Sequence, residues 1–276
     1  MPCLRYAVLL LSSGVLFAGD PVALAAGTIM ARVAENQDRA VQLRSQYIYQ
    51  QHIHIATRRK NGKLVRQEVV DYLITPTPTG IEKQVQKMDG KYFEKGKYLE
   101  FHEEPAPKRD GFDGDLIHDL REDLLNEKSK DGMAVDLFPF TANEQKKYQF
   151  ELLGEQVVDG RKTYRLRFRP ADKNDISWAG EALIDAEEFQ PVSVFTKLSR
   201  KIPMAIRTML GTDLPGVGFS VRYQRFDKDI WFPVSFGTEF RLHILFFLNR
   251  DIAIASSSSG FRRVNVESSI QFATPQ

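Results

Sequence analysis

Residues 151–170 read ELLGEQVVDGRKTYRLRFRP. Tyr164, Leu166 and Phe168 alternate with Arg165, Arg167 and Arg169. That period of two marks a strand with one apolar and one solvated face. Asp159-Gly160 just before it is a tight-turn signal, so the stretch reads as a β-hairpin. The pattern extends toward the C-terminus. Trp178–Val194 reads as a strand, an acidic turn at Asp185–Glu188 and a second strand. Phe219, Val221, Tyr223 and Phe226 follow, with a turn at Asp227–Asp229. Thr238, Phe240, Leu242, Ile244 and Phe246 alternate with Glu239, Arg241, His243, Leu245 and Phe247. A turn is expected at Ser256–Gly260, and Val264, Val266, Ser268, Ile270 and Phe272 form a closing strand.

Toward the N-terminus, Tyr47, Tyr49, Gln51, Ile53 and Ile55 alternate with Ile48, Gln50, His52, His54 and Ala56. Asn61-Gly62 marks a hairpin, and the return strand Leu64–Ile74 is broken by Pro76 and Pro78. A third strand, Gly80–Met88, ends at a turn at Asp89-Gly90. Residues 91–147 are rich in charge, Gly and Pro and read as an insertion carrying a helix at Asp113–Asn126. Leu116, Ile117, Leu120, Leu124 and Leu125 share one face of that helix, and a weaker helical turn follows at Ala142–Lys147. Another helix is expected at Pro203–Leu210, and an N-terminal one at roughly 29–45 with Thr28 as N-cap. The sum is an α+β chain, mainly antiparallel β, with about nine to eleven strands in one sheet. A sheet that long is expected to curl, and an apolar concave face must be filled by helices, a ligand or both.

The chain has 276 residues, 42% hydrophobic and 27% charged, which excludes wholesale disorder. Its 38 basic and 36 acidic residues give a net charge of +2, which argues against a nucleic-acid partner. Residues 1–26 read as a cleaved signal peptide: Arg5, the apolar run Ala7–Ala18, a break at Pro21, then Ala23-Leu-Ala-Ala. The apolar run is too short to span a bilayer, which needs about 20 residues. Residues 27–276 then form a single exported domain, expected in a bacterial periplasm. Cys3, the one cysteine, lies in the signal, so the mature chain has no disulfide and no thiolate chemistry.

Few residues suggest a reaction. His52 and His54 share one side of a strand, as a two-histidine metal clamp requires, but no third ligand has a telling spacing; a solvated face explains them better. Asp110, Asp113 and Asp115 lack the spacing of a calcium loop and suit the turn and N-cap of a helix. No nucleophile elbow, zinc-helix, phosphate-loop or dinucleotide motif occurs. The row Arg165, Arg167 and Arg169, extended by Arg262-Arg263, reads as a solvated outer face or as a contact for anionic groups. No catalysis, metal or cofactor is expected. Tyr164, Leu166, Phe168, Phe219, Val221, Tyr223, Phe240, Leu242 and Phe246 are expected on the concave face. They are the candidate lining of a hydrophobic cavity, or else a core under the protein's own helices.

Three stretches carry a resemblance to a known group: Tyr47-Ile-Tyr-Gln-Gln directly after a helix, residues 151–170, and Trp178–Val194. In layout the chain resembles the outer-membrane lipoprotein-sorting (Lol-type) carrier superfamily. The resemblance implies a half-barrel with a helical lid over a greasy cavity. It implies a periplasmic, non-catalytic carrier of lipid or of a lipidated protein, a role compatible with peripheral contact with a membrane but not requiring it. The charged insertion, the Pro203 helix and residues 226–250 depart from the simplest members. The alternative is a module that binds an envelope protein through its outer face and has a filled core.

Overall fold

The structure is a computed structural model that describes residues 24–103, 111–124, 138–175, 177–200, 212–213, 217–226, 230–244 and 248–264. It opens with α1 (Ala26–Arg44), then β1 (Tyr47–Arg58), β2 (Leu64–Thr77), β3 (Gly80–Glu94) and β4 (Lys97–Phe101). Next come α2 (Phe112–Leu124), α3 (Ala142–Gln145), β5 (Tyr148–Val158), β6 (Arg161–Pro170), β7 (Trp178–Asp185) and β8 (Pro191–Leu198). The chain continues through β9 (Thr212–Asp213), β10 (Gly218–Phe226), β11 (Ile230–Ile244) and β12 (Leu248–Arg263). Eleven strands form one antiparallel sheet in the order β4-β3-β2-β1-β12-β11-β10-β8-β7-β6-β5, and β9 adds two residues beside β11. The first and last strands pair in the middle, β1 with β12, so the sheet ends at β4 and β5. It is not strongly curled, unlike the curl expected from strand number and the half-barrel implied by the resemblance.

The hairpins at Asp159-Gly160 and Asn61-Gly62 are as the sequence predicts, and both glycines have φ +79°. Four boundaries differ. Asp89-Gly90 is not a turn: β3 runs through it to Glu94, and the chain reverses at Lys95-Gly96, with φ of +47° and +89°. The glycine is there because the ring of Phe101 on β4 lies where a Cβ would stand. Residues 91–101 therefore belong to the sheet. Ser256–Gly260 is also strand, inside the 16-residue β12, and Gly260 (φ +66°) sits where the pairing with β1 slips at a bulge. Pro76 stays in β2 at the hairpin end, opposite Ile81. Helix α1 starts at Ala26, and its N-cap is Ala25, with no side-chain cap, rather than Thr28. The expected signal peptide up to residue 23, the Pro203–Leu210 helix and the strand beyond Val264 lie outside the described residues.

One face of the sheet carries the core. In β2, Leu64, Arg66, Glu68, Val70, Tyr72 and Ile74 are all buried and the residues between them half-buried. Ile53, Ile55, Val70, Ile74, Leu166, Ile184 and Val221 join Ile29 and Val33 of α1 and Ile117 of α2 in a single apolar cluster. Both helices thus pack on the same face, α1 chiefly over β5 and β11 and α2 over β1 and β2. A smaller cluster of Tyr47, Ile230 and Phe232 closes the end of α1, with Phe232 stacked on Phe261 at 4.1 Å.

Candidate functional site

The expected cavity lining lies on the helix-covered face, on β6, β10 and β11, but its residues are not equally accessible. Leu166, Phe168, Val221 and Leu242 are fully buried core. Tyr164, Phe219, Tyr223 and Phe240 are half-buried and pack on that core from its margin. Phe246 lies outside the described residues. The rings meet through neighbours that sequence reading did not place: Phe219 lies against Trp178 at 4.8 Å and Phe236 at 5.4 Å, Tyr223 against Phe140 at 6.4 Å, and Tyr164 against Phe189 at 6.1 Å.

The two helices are held differently. Helix α1 is stitched by hydrogen bonds. The Gln37 amide donates to Gln190 Oε1 (2.8 Å), Asn36 to the Glu188 carbonyl (2.7 Å), Arg44 to the Trp231 carbonyl (3.0 Å), and Gln145 of α3 to the Met30 carbonyl (2.8 Å). The turn that receives α1 is fixed by Asp185, whose carboxylate accepts from the Glu187 and Glu188 amides (3.0 and 2.7 Å) and from Arg161 (2.5 Å). Burial pushes the Asp185 carboxyl up, but Arg161 and the two amides outweigh it and hold it below the usual carboxylate range.

Helix α2 is held by ion pairs. Arg250 of β12 grips Asp113 with two parallel bonds of 2.6 and 2.7 Å. Arg121 reaches Glu68 at 3.3 Å, and Glu68 also accepts from Arg66 Nε at 2.8 Å, all three side chains being buried. Lys83 meets Glu122 at 2.7 Å. Asp113 is therefore not the expected N-cap. It lies inside the first turn of α2, with its carboxylate taken by Arg250. Asp115 of the calcium-like triplet is exposed, and Asp110 is outside the described residues.

Of the remaining candidates, all but Arg263, which pairs with the buried Tyr47, fall on the outer face. Arg165 and Arg167 are ion-paired with Glu181 and Glu151, and Arg169 donates to Gln149. Arg262 and Arg263 are five strands away on β12 and do not extend that row. His52 pairs with Asp71 at 2.6 Å and His102 with Asp89 at 2.7 Å. His54 is half-buried, and burial lowers its pKa. Among the described residues no three metal-ligating side chains converge. Sequence reading missed the buried Arg66–Glu68 pair. The signal was present: both residues occupy the inward positions of an otherwise apolar alternation.

A groove of about 480 Å3 lies between α1, α3 and β5, with Met30, Ala34 and Phe150 in its lining. It uses none of the expected cavity residues.

No protein-family model matches the chain, and no curated protein does. Solved structures are similar in layout at low identity. A domain described as an outer membrane lipoprotein-sorting protein from Vibrio parahaemolyticus is 12% identical, covers 87% of this chain and 93% of its own, and has a TM-score of 0.39. A LolA superfamily protein from Nitrosomonas europaea is 13% identical over 89% of this chain and 96% of its own, with a TM-score of 0.36. A DUF1329 family protein from Desulfovibrio piger is 14% identical over 88% and 95%, also with a TM-score of 0.36.

Proposed function

We propose that the protein is an exported, periplasmic binding protein that carries a hydrophobic ligand, a lipid or the acyl chains of a lipidated protein, and performs no chemistry on it. The observation that carries this reading is the uneven cover of the apolar face. Two helices lie on an eleven-stranded sheet, and on β6, β10 and β11, within the span from β11 to β5 that α1 touches chiefly at its two ends, Tyr164, Phe219, Tyr223 and Phe240 remain half-buried. An apolar chain laid along those rings removes their remaining surface and its own from water. Each methylene so buried contributes about 0.8 kcal/mol, and part of one chain already gives useful affinity.

Entry and release go through α2. Its contacts are ion pairs at both ends, with Ile117 fully buried in the core and Leu116 and Leu120 packed partly buried against it. Such a helix exchanges its partners for water more readily than α1, whose Ile29, Met30, Val33 and Ala34 are all buried. The test is native mass spectrometry of the mature protein purified gently from a bacterial periplasm, followed by uptake of a fluorescent fatty acid. A co-purifying mass released by organic solvent as lipid, or saturable uptake, is the expected result. A clean apo mass with no uptake refutes the carrier reading and leaves a filled core.

A further inference from the structure

The two ends of the sheet are unlike. Strand β4 is five residues long, one of the ways proteins blunt an edge against pairing with other chains. Strand β5 at the other end has 11 residues. From Tyr148 to Leu152 it is regular, and a bulge between Leu152 and Gly154 then interrupts it. A regular edge limited in length by a bulge suits pairing with one short segment rather than open-ended stacking. Beside that regular part lies the groove, with Met30, Ala31 and Ala34 of α1 on one side and Phe150 of β5 on the other. Glu35 and Asp38, one turn apart on α1, also line it, are exposed, and form no ion pair with any described residue; the one cation in the lining, Lys146 of the α3 end, donates to Asn143 at 3.2 Å, so the carboxylates outnumber it two to one.

We propose that the β5 edge and this groove together dock an extended peptide segment of a partner protein, one with an apolar side chain flanked at alternate positions by basic ones. A strand added to β5 hydrogen-bonds to Tyr148–Leu152, and its inward side chain beside Phe150 reaches the groove. Its neighbours two residues away point to the same side, where Glu35 and Asp38 favour cations. The same acids argue against the other occupants. A second copy paired through β5 brings two Glu35–Asp38 pairs toward each other. An anionic lipid head group meets two carboxylates against the single Lys146.

The probe is a fluorescein-labelled peptide, Thr-Lys-Thr-Phe-Thr-Lys-Thr, titrated with the full mature protein and read by fluorescence anisotropy. Saturable binding is expected. N-methylation of alternate peptide nitrogens weakens it about ten-fold or more, as expected for the loss of a few edge hydrogen bonds. The double variant Glu35→Lys, Asp38→Lys weakens it to a similar degree and prefers the peptide with Glu in place of Lys. Ala31→Trp, at an exposed helix position, fills the groove and abolishes binding with an unchanged melting temperature. Three results each overturn the proposal: no saturable binding up to millimolar protein, indifference to N-methylation, or a β5-mediated dimer that the peptide does not dissociate. The carrier reading is scored separately, since fatty-acid uptake involves none of these residues.

Discussion

Replacing Arg250 with Met tests whether α2 is an independently opening element. Met keeps much of the aliphatic bulk and removes the guanidinium. The Asp113 carboxylate, only 8% exposed beside an Arg250 that is 13% exposed, is left with no counter-ion in that pair. Breaking a fully buried pair costs 3–5 kcal/mol, and the residual exposure here puts the figure at about 3 kcal/mol. The cost falls on the docked state of α2 and not on the strands, because the first turn of α2 swings out and rehydrates Asp113. A change of about 3 kcal/mol raises the open population about 100-fold. Hydrogen exchange read by mass spectrometry on a peptide spanning α2 should speed up by that factor, while β1 exchanges as in the parent. Adding Asp113→Asn removes the stranded charge and restores most of the protection. If β1 loses protection together with α2, the helix and sheet open as one unit and the gate is wrong. If neither changes, the pair does not latch the helix.

Two further perturbations probe the frame. Gly180 on β7 pairs with Thr196 on β8, and a Cβ there runs into the Phe195 carbonyl, a backbone atom that cannot move alone. Gly180→Ala should therefore lower the unfolding free energy by about 2–3 kcal/mol in urea titration, and a change under about 0.5 kcal/mol contradicts the geometry. Asp185 supplies a pH dependence with a definite sign. Its folded pKa is depressed, so its contribution is complete above the unfolded value of about 3.9 and is lost as pH falls through the folded value. Asp185→Asn should flatten that part of the acid limb in a stability-against-pH series, and an unchanged limb shows that Asp185 is not the group titrating.

How much of this was legible depended on what each feature draws on. The strand pattern was readable because a sheet with one buried face writes its geometry directly into the alternation, as Tyr164, Leu166 and Phe168 against Arg165, Arg167 and Arg169 show. The misread turns share a cause. At Gly90 and Gly260 the glycine serves a neighbouring strand, once to admit the Phe101 ring and once to absorb a bulge, and nothing local separates that use from a reversal. The division of the aromatic face into buried and half-buried members was not readable, because it depends on where α1 and α2 lie across strands far apart in sequence. The groove was invisible for the same reason: Ala31, Gln145 and Phe150 come from three elements that only the fold brings together.

The two modes of anchoring decide where the covered face yields. Helix α1 is tied by hydrogen bonds to backbone carbonyls and to one neutral amide, and their undoing leaves buried carbonyls without donors. Its apolar stripe also runs the length of the helix, from Ile29 to Ala40. Helix α2 gives up charged contacts that water takes over once the helix has moved, and of its core-facing apolar residues Ile117 is fully buried while Leu116 and Leu120 are only partly so. Exposure of the Arg66–Glu68 pair beneath it then offsets part of the cost, since both charges regain hydration. The carrier reading proposed above therefore has the face open from the β1–β2 half and stay closed under α1. On the proposed carrier reading, Phe240 on β11 is the ring nearest that opening, and the rings on β10 and β6 lie deeper, within the span of α1.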